Sequence, residues 1–252
     1  MSKSKQIVLF IVEGHTDEEA LAPVLSNLHR QYTTKDEIRF AVTYGDITSA
    51  EGADINSITQ DIADKVDEYL FSERPLKISD IFRIVHILDT DGAFIPDARI
   101  MKQTGQDKPF YDDECILCES IPGLQKRNRR KSQIMRKLAG MRSVTYRNEK
   151  FLKGKKSGGG RKIPYQAFFL SCNLEHVLHN QRNVPDDQKA DLAYAFADRY
   201  QEDLPGFVEF FNSDFAIQKN YPETWSYLYQ GVNSLSRCSN FHIYLNQLVS
   251  PE

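Results

Sequence analysis

Long apolar runs and cysteines are scarce in this 252-residue sequence, and several familiar motifs are missing. The longest strongly apolar run, Ile7 to Val12, is six residues, whereas a membrane-spanning helix needs roughly 20. The N-terminus, MSKSK, is basic, but the run behind it stops at Glu13. A secretory signal needs about 7–15 apolar residues and a small-residue cleavage site. A cytoplasmic protein with no membrane part is therefore the expectation. The four cysteines, Cys115, Cys118, Cys172 and Cys238, are expected as free thiols in a reducing compartment. Cys115 and Cys118 form a CxxC, but a structural zinc site wants four ligands and no second CxxC follows. Cys172, His176 and His179 are in principle further donors, and plain thiols remain the expectation. EHVLH at 175–179 is not HExxH, which excludes a zincin. A Walker A loop, GxxxxGK followed by Ser or Thr, is also missing. GKKSGGGRK at 154–162 puts its lysines ahead of its glycines, so ATP hydrolysis by this chain is not expected.

What is present suffices for a sizeable core: 40% hydrophobic and 11% aromatic residues argue against wholesale disorder. The net charge of −3 conceals a division. Between Lys126 and Lys162 there are 15 basic residues and one acid, Glu149, so this segment carries +14 and the rest of the chain −17. Such a block is a solvated face or a polyanion-binding surface.

The chain opens with an α/β alternation. Gln6–Val12 reads as a strand buried on both faces. After the Glu13-Gly14 turn, Thr16 and Glu19 are spaced as a capping box for a helix reaching about Arg30. Ile38–Thr43 is a second strand, Ile55–Phe71 a helix, and Ile81–Leu88 a third strand running into Asp89-Thr90-Asp91-Gly92. This order calls for a parallel sheet flanked by helices, with ligands at the carboxyl ends of the strands. Glu13, Asp89 and Asp91 fall on that rim. Asp46, after the second strand, reads as a turn residue. Asn128–Met141 is expected helical, Lys153–Lys162 a flexible basic loop, Tyr165–Leu170 a fourth strand, and Asn173–Asn180 a helix containing Glu175. From Pro185 the pattern is helical: 186–203, 205–215 and 224–248, the last with breaks near Gly231 and Ser239.

Carboxylates converging at a sheet edge repel one another unless a cation lies between them. All-oxygen ligation selects Mg²⁺ or Mn²⁺. Either motif alone reads equally well as a strand-to-turn junction; the pair, each behind an apolar strand, is more informative. VEGHTDEEA followed by ILDTDGAF resembles the TOPRIM domain shared by topoisomerases, DnaG-type primases, ribonuclease M5, RecR and OLD-family nucleases. The resemblance covers about residues 6–92 and extends toward 180. It implies a TOPRIM (Rossmann-like) α/β fold over residues 1–184, with a basic insertion at about 93–162. The helical region at 185–252 offers a surface for homodimerisation or partner docking. The resemblance also implies Glu13, Asp89 and Asp91 as catalytic residues and Glu13, Asp17, Asp89, Asp91 and Glu175 as ligands of Mg²⁺ or Mn²⁺, with Ser171 near the last. Glu13 is the general acid or base that such glutamates are suggested to be. A topoisomerase or primase needs more chain than this, and RecR carries a four-cysteine zinc site that is lacking ahead of Glu13.

The SCNLEHVLH segment and the C-terminal NSLSRCSNF look more like stand-alone OLD-like proteins of bacterial anti-phage defence, of the RloB type and the PARIS-type nuclease subunit. That resemblance implies a nuclease acting on DNA or RNA, transfer RNA included, together with a separate ABC-type ATPase. The alternatives are an RNA-processing enzyme like ribonuclease M5 and a catalytically silent RecR-like adaptor. The basic block supplies the expected nucleic-acid contacts: Arg127, Arg129, Arg130, Lys131, Arg136 and Lys137 on a helix, and Lys153, Lys155, Lys156, Arg161 and Lys162 on a loop. Tyr146 and Phe151 are candidates for base stacking, whereas Tyr165 reads as core. His15 reads as an exposed turn residue, His86 as a satisfied interior one, and His176 and His179 as substrate-positioning or helix-surface residues.

Overall fold

The computed structural model describes residues 6–33, 36–43, 46–50, 52–73, 75–105, 107–146 and 160–250. Lys153, Lys155, Lys156 and Phe151 lie outside the described residues. Four parallel strands make the body of the main sheet: β1 (Gln6–Val12), β2 (Asp36–Val42), β3 (Ile81–Asp89) and β8 (Arg161–Leu170). A short antiparallel edge strand, β7 (Ser143–Tyr146), pairs with β8 and completes the order β2-β1-β3-β8-β7. The protein is thus an α/β protein with a mostly parallel five-stranded sheet.

Alternation along the strands builds two cores. Ile7, Leu9 and Ile11 face α2 (Ile58–Ser72), α3 (Ile121–Gly140) and α7 (Tyr221–Leu228). Val8, Phe10 and Val12 face α1 (His15–Tyr32), α4 (Leu174–His179), α5 (Asp186–Tyr200), α6 (Leu204–Phe211) and α8 (His242–Val249). Each face of β1 therefore meets apolar side chains, as its unbroken hydrophobic sequence requires. The C-terminal helices share these two cores and have no separate core of their own. No described helix is long and apolar enough to cross a membrane.

Three local expectations are corrected. Helix α1 starts at His15 with Gly14 as its cap, not at Thr16, because Asp17 folds back to accept the Gly14 N–H at 2.7 Å. Helix α3 starts at Ile121, not near Asn128; Ser120 accepts the Gly123 N–H, and Pro122 occupies a first-turn position that needs no N–H donor. The stretch before it holds a small second sheet, β4 (Ile100–Lys102), β6 (Ile116–Cys118) and β5 (Phe110–Tyr111), in the order β4-β6-β5. It packs with Cys172 and Leu235 as a third apolar cluster. Arg161 and Lys162, expected in a loop, open β8.

The 233–240 segment buttresses the strand ends. The Ser234 carbonyl accepts the hydroxyls of Thr90 (3.0 Å) and Ser171 (3.1 Å), and Asn240 Oδ1 accepts the Phe169 N–H at 2.9 Å. All of these side chains are buried, where an unmet polar group would cost about 1–3 kcal/mol.

Candidate active site at the carboxyl rim of the sheet

Because β1, β2, β3 and β8 are parallel, their carboxyl ends share one rim. A cleft of about 640 Å³ opens there, lined by Glu13, Asp17, Asp46, Asp89, Glu175 and Asp186 together with His15, Thr16 and Lys189. Glu13 follows β1, Asp46 follows β2, Asp89 ends β3, and Glu175 stands in the first turn of α4 after β8. Four of the five acids expected as ligands thus line one cleft.

The turn after β3 is held hard. Asp91 and Gly92 both have positive φ, 47° and 62°. A Cβ on Gly92 would sit 2.7 Å from side-chain atoms of both Ile116 and Leu235, so only glycine fits. Asp91 tolerates its left-handed conformation because its N–H bonds the Cys172 carbonyl at 2.8 Å and Arg127 donates to its carbonyl at 2.8 Å. A non-glycine residue held in this region marks a place where function outweighs local strain.

Asp91, the fifth expected ligand, does not line the cleft. Its Oδ2 accepts Lys131 Nζ at 2.5 Å and its Oδ1 accepts the Tyr111 hydroxyl at 3.2 Å. The same ammonium donates to Asp46 Oδ2 at 2.6 Å and lies 3.9 Å from Glu13 Oε1. Lys131 has no exposed surface at all. Its expected place on an outer nucleic-acid face is therefore corrected: it falls on the inward stripe of α3 with Leu124, Asn128, Met135 and Leu138. Arg127 also turns inward, to Asp91, Asn128 and Tyr111.

The other basic residues divide. Arg129 is exposed and pairs with Asp97, Arg130 bonds the Ser49 carbonyl, Lys137 donates to the Ile55 carbonyl at 2.5 Å, and Arg136 stacks on Phe94 and Tyr229. Arg161 and Lys162 sit at the amino end of β8, where Arg161 bonds the Ile81 carbonyl at the start of β3. A ten-residue strand at about 3.3 Å per residue puts them roughly 30 Å from the acidic rim. These two are therefore corrected as companions of the cleft. Tyr146 and Tyr165 are buried, so neither presents a ring for stacking on a base.

Electrostatics separate the acids. Burial pushes the Glu13 carboxyl well above its usual range, Lys131 pulls it back, and Asp46, Asp91 and Asp17 add to the rise. Burial likewise raises Asp17 to about 7 and lifts Asp89 well above the carboxylate range, with Glu13 and Asp17 adding to the latter. Burial opposes the charged form of Asp46 too, but the Lys131 ammonium outweighs it and Asp46 falls below its usual range. Reciprocally, burial disfavours the Lys131 ammonium, but Asp46 and Asp91 raise its pKa well above the usual value. On the opposite wall Lys189 lies 4.0 Å from Glu175 and 3.4 Å from Asp186.

With Asp91 included, seven carboxylates meet three ammonium groups, Lys131, Lys189 and Lys108, the last paired with Asp186, and the excess negative charge suits a divalent cation. The donors are all oxygen, as Mg²⁺ or Mn²⁺ requires. Among the described residues no group of three or more His, Cys, Asp or Glu side chains is positioned to hold a metal ion. His15 is exposed beside Glu18 at the mouth. His86 is buried and bonded to the Tyr165 hydroxyl at 2.8 Å, with burial lowering its pKa to about 3. His176 is buried too, donates to the Ser171 carbonyl at 3.1 Å, and contacts no cleft acid. His179 packs edge-on to Phe196. Cys118 and Cys172 pack in the third cluster and Cys238 in the first.

Sequence reasoning passed over Asp46, Lys189 and Tyr111. Asp46 carried a signal, since it follows a parallel strand and so had to reach the same rim. Lys189 lies one turn into a helix after a proline, and Tyr111 lies in a two-residue strand; neither has a local signature. No protein-family model matches this chain, and neither a curated protein nor a solved structure matches it at a significant level.

Proposed function

We propose that this chain is a TOPRIM-type, Mg²⁺- or Mn²⁺-dependent nuclease that hydrolyses phosphodiester bonds of DNA or RNA. One observation carries the reading: Glu13, Asp17, Asp89 and Glu175, from three separate segments, line a single cleft with too few cations to balance them. Those four residues would hold the ion. When bound, it would polarise a phosphoryl oxygen and lower the pKa of a bound water. The chain's own residues do the rest. Lys131 fixes Asp46 in the cleft wall and Asp91 behind it, and contributes positive charge close to Glu13. Glu13, with its carboxyl raised above the usual range by burial, is suited to hold and release a proton. Arg129, exposed on α3, and Arg130 beside it are the basic side chains that would contact a phosphate backbone.

A role in anti-phage defence beside a separate ABC-type ATPase extends this reading and rests on the resemblance of SCNLEHVLH and NSLSRCSNF alone. The test is direct. Purified protein, alone and with the ATPase encoded beside it, is incubated with plasmid DNA, transfer RNA and ribosomal RNA precursors in Mg²⁺ or Mn²⁺. Cleavage that vanishes in EDTA and in Glu13→Ala is expected. Cutting restricted to the ribosomal precursor would favour the ribonuclease M5-like alternative, and salt-sensitive binding with no cutting under any condition would favour the adaptor.

A further inference from the structure

The strand order leaves β2 at one end of the main sheet, laddered to β1 on one side only. One bond fixes which of its backbone groups face outward. The Thr43 N–H donates to the Val12 carbonyl at 2.9 Å. In a parallel ladder both backbone groups of one residue point to the same neighbour, and those of the next residue point away. Ala41, Arg39 and Glu37 therefore turn toward β1, whereas Ile38, Phe40 and Val42 turn their N–H and C=O groups outward. Helices α1 and α2 pack against β2, yet Glu37, Arg39, Phe40 and Val42 remain half-buried. An edge of this kind is a template for a further strand.

The charges on β2 select the strand that fits. Glu37 and Arg39 stand on one face and are paired with each other within the strand. When a second β2 lies antiparallel across the edge, outward groups must meet outward groups. The register that puts Ile38 opposite its own copy does this. It also sets Glu37 opposite Arg39 twice, as closely spaced pairs of opposite charge. A slip of two residues in one direction sets Glu37 opposite Glu37, and in the other Arg39 opposite Arg39; both are repulsive. On the helices flanking the strand, Tyr32 at the end of α1 and Phe71 in the last turn of α2 are 42% and 69% exposed, which adds apolar surface.

We propose that the β2 edge is a two-fold interface between copies of this chain, in which the two β2 strands pair antiparallel about Ile38 and Glu37 of each copy meets Arg39 of the other. The contact is isologous and closes on itself. It joins two five-stranded sheets into one, and the two carboxyl rims then face opposite ways. It does not involve the C-terminal helices, and it is independent of the chemistry of the cleft.

The molar mass of the full chain in solution is measured by sedimentation equilibrium. The wild type is expected at twice the chain mass. Glu37→Arg and Arg39→Glu, which each create like-charge pairs across the join, are expected at the mass of one chain. The variant carrying both changes restores the opposite charges and is expected to return to twice the chain mass. An ion pair serving only its own strand would leave the mass the same in every variant. Circular dichroism checks that each variant folds, and if one does not, the remaining ones decide. A wild type with the mass of one chain at every loading concentration, a dimer that persists in Glu37→Arg, or no recovery in the folded double variant would overturn the inference.

Discussion

Lys131→Met is the perturbation whose size the structure defines best. The lysine is wholly enclosed, and among the described residues its ammonium is the one cation paired with the carboxylates of Asp46 and Asp91. Methionine nearly preserves the side-chain volume, so packing on the α3 stripe is retained and the main change is the lost charge. Removing one partner of a buried pair leaves an uncompensated charge and costs about 3–5 kcal/mol. For a chain of this size each kcal/mol shifts the melting temperature by roughly 2–4 °C. A fall of roughly 6–20 °C is therefore expected in EDTA at pH 8. The pH dependence gives the sign. In the wild type the Asp46 pKa is depressed, so its stabilising share is complete above the unfolded carboxylate pKa and is lost only in strong acid. In the variant the ammonium no longer offsets burial at Asp46, so the Asp46 pKa rises and protonation relieves the penalty as pH falls. The melting-temperature gap between wild type and variant should thus narrow steadily from pH 8 to pH 5. Thermal melts by circular dichroism measure both quantities. A gap below about 2 °C, or one constant across that pH range, would refute the burial and pairing of Lys131.

Asp17 tests whether an acid is kept for chemistry and not for the helix cap. Its pKa is raised to about 7, so ionisation costs stability above that pH and the cost fades as pH drops toward the unfolded value. Asp17→Asn retains an acceptor for the Gly14 N–H and removes the charge. Metal-free melts should therefore show it more stable than wild type at pH 8 and close to it at pH 5; a loss of several degrees at pH 8 would mark the carboxylate as structural. Tyr111→Phe leaves Asp91 Oδ1 without its partner and should cost about 1–3 kcal/mol in denaturant unfolding, whereas an unchanged midpoint would show that bond to be idle. Arg129→Glu, on the exposed side of α3, should weaken nucleic-acid binding and flatten its salt dependence in fluorescence titrations. Lys162→Glu, at the far edge of the sheet, should not; equal losses would mean the substrate runs over both edges.

The central α/β frame was legible because β1 is written as a continuous apolar run and β2 and β3 as mostly apolar ones, and Glu13 and Asp89 come at the ends of β1 and β3. Parallel topology then placed Glu13 and Asp89 on one rim. The same logic applied to Asp46, but Asp and Gly are such common turn residues that its position carried no weight alone. Lys131 was misplaced for a different reason. A basic helix looks solvated in composition, and the inward stripe of Leu124, Lys131 and Leu138 becomes visible only when α3 is extended back to Ile121. The three strands of the small sheet have two or three residues each, too few to show a period of two, so the strap that carries Tyr111 to Asp91 left no trace in the pattern. Arg161 and Lys162 were grouped with Lys153, Lys155 and Lys156 in a basic loop, and the ten-residue length of β8 is what separates them from the acidic rim.

The central claim is that the rim acids cut phosphodiester bonds while other residues hold the polymer. Asp89→Asn measures this most directly, because its carboxylate lines the cleft and has no structural partner among the described residues. Cleavage of labelled DNA and RNA in Mg²⁺ and binding of the same strands in EDTA are measured side by side for wild type and variant. The account predicts cleavage reduced by about 10²-fold or more, since the ion it helps hold is worth several kcal/mol in the transition state, with binding unchanged. Cleavage at the wild-type rate by Asp89→Asn would contradict it.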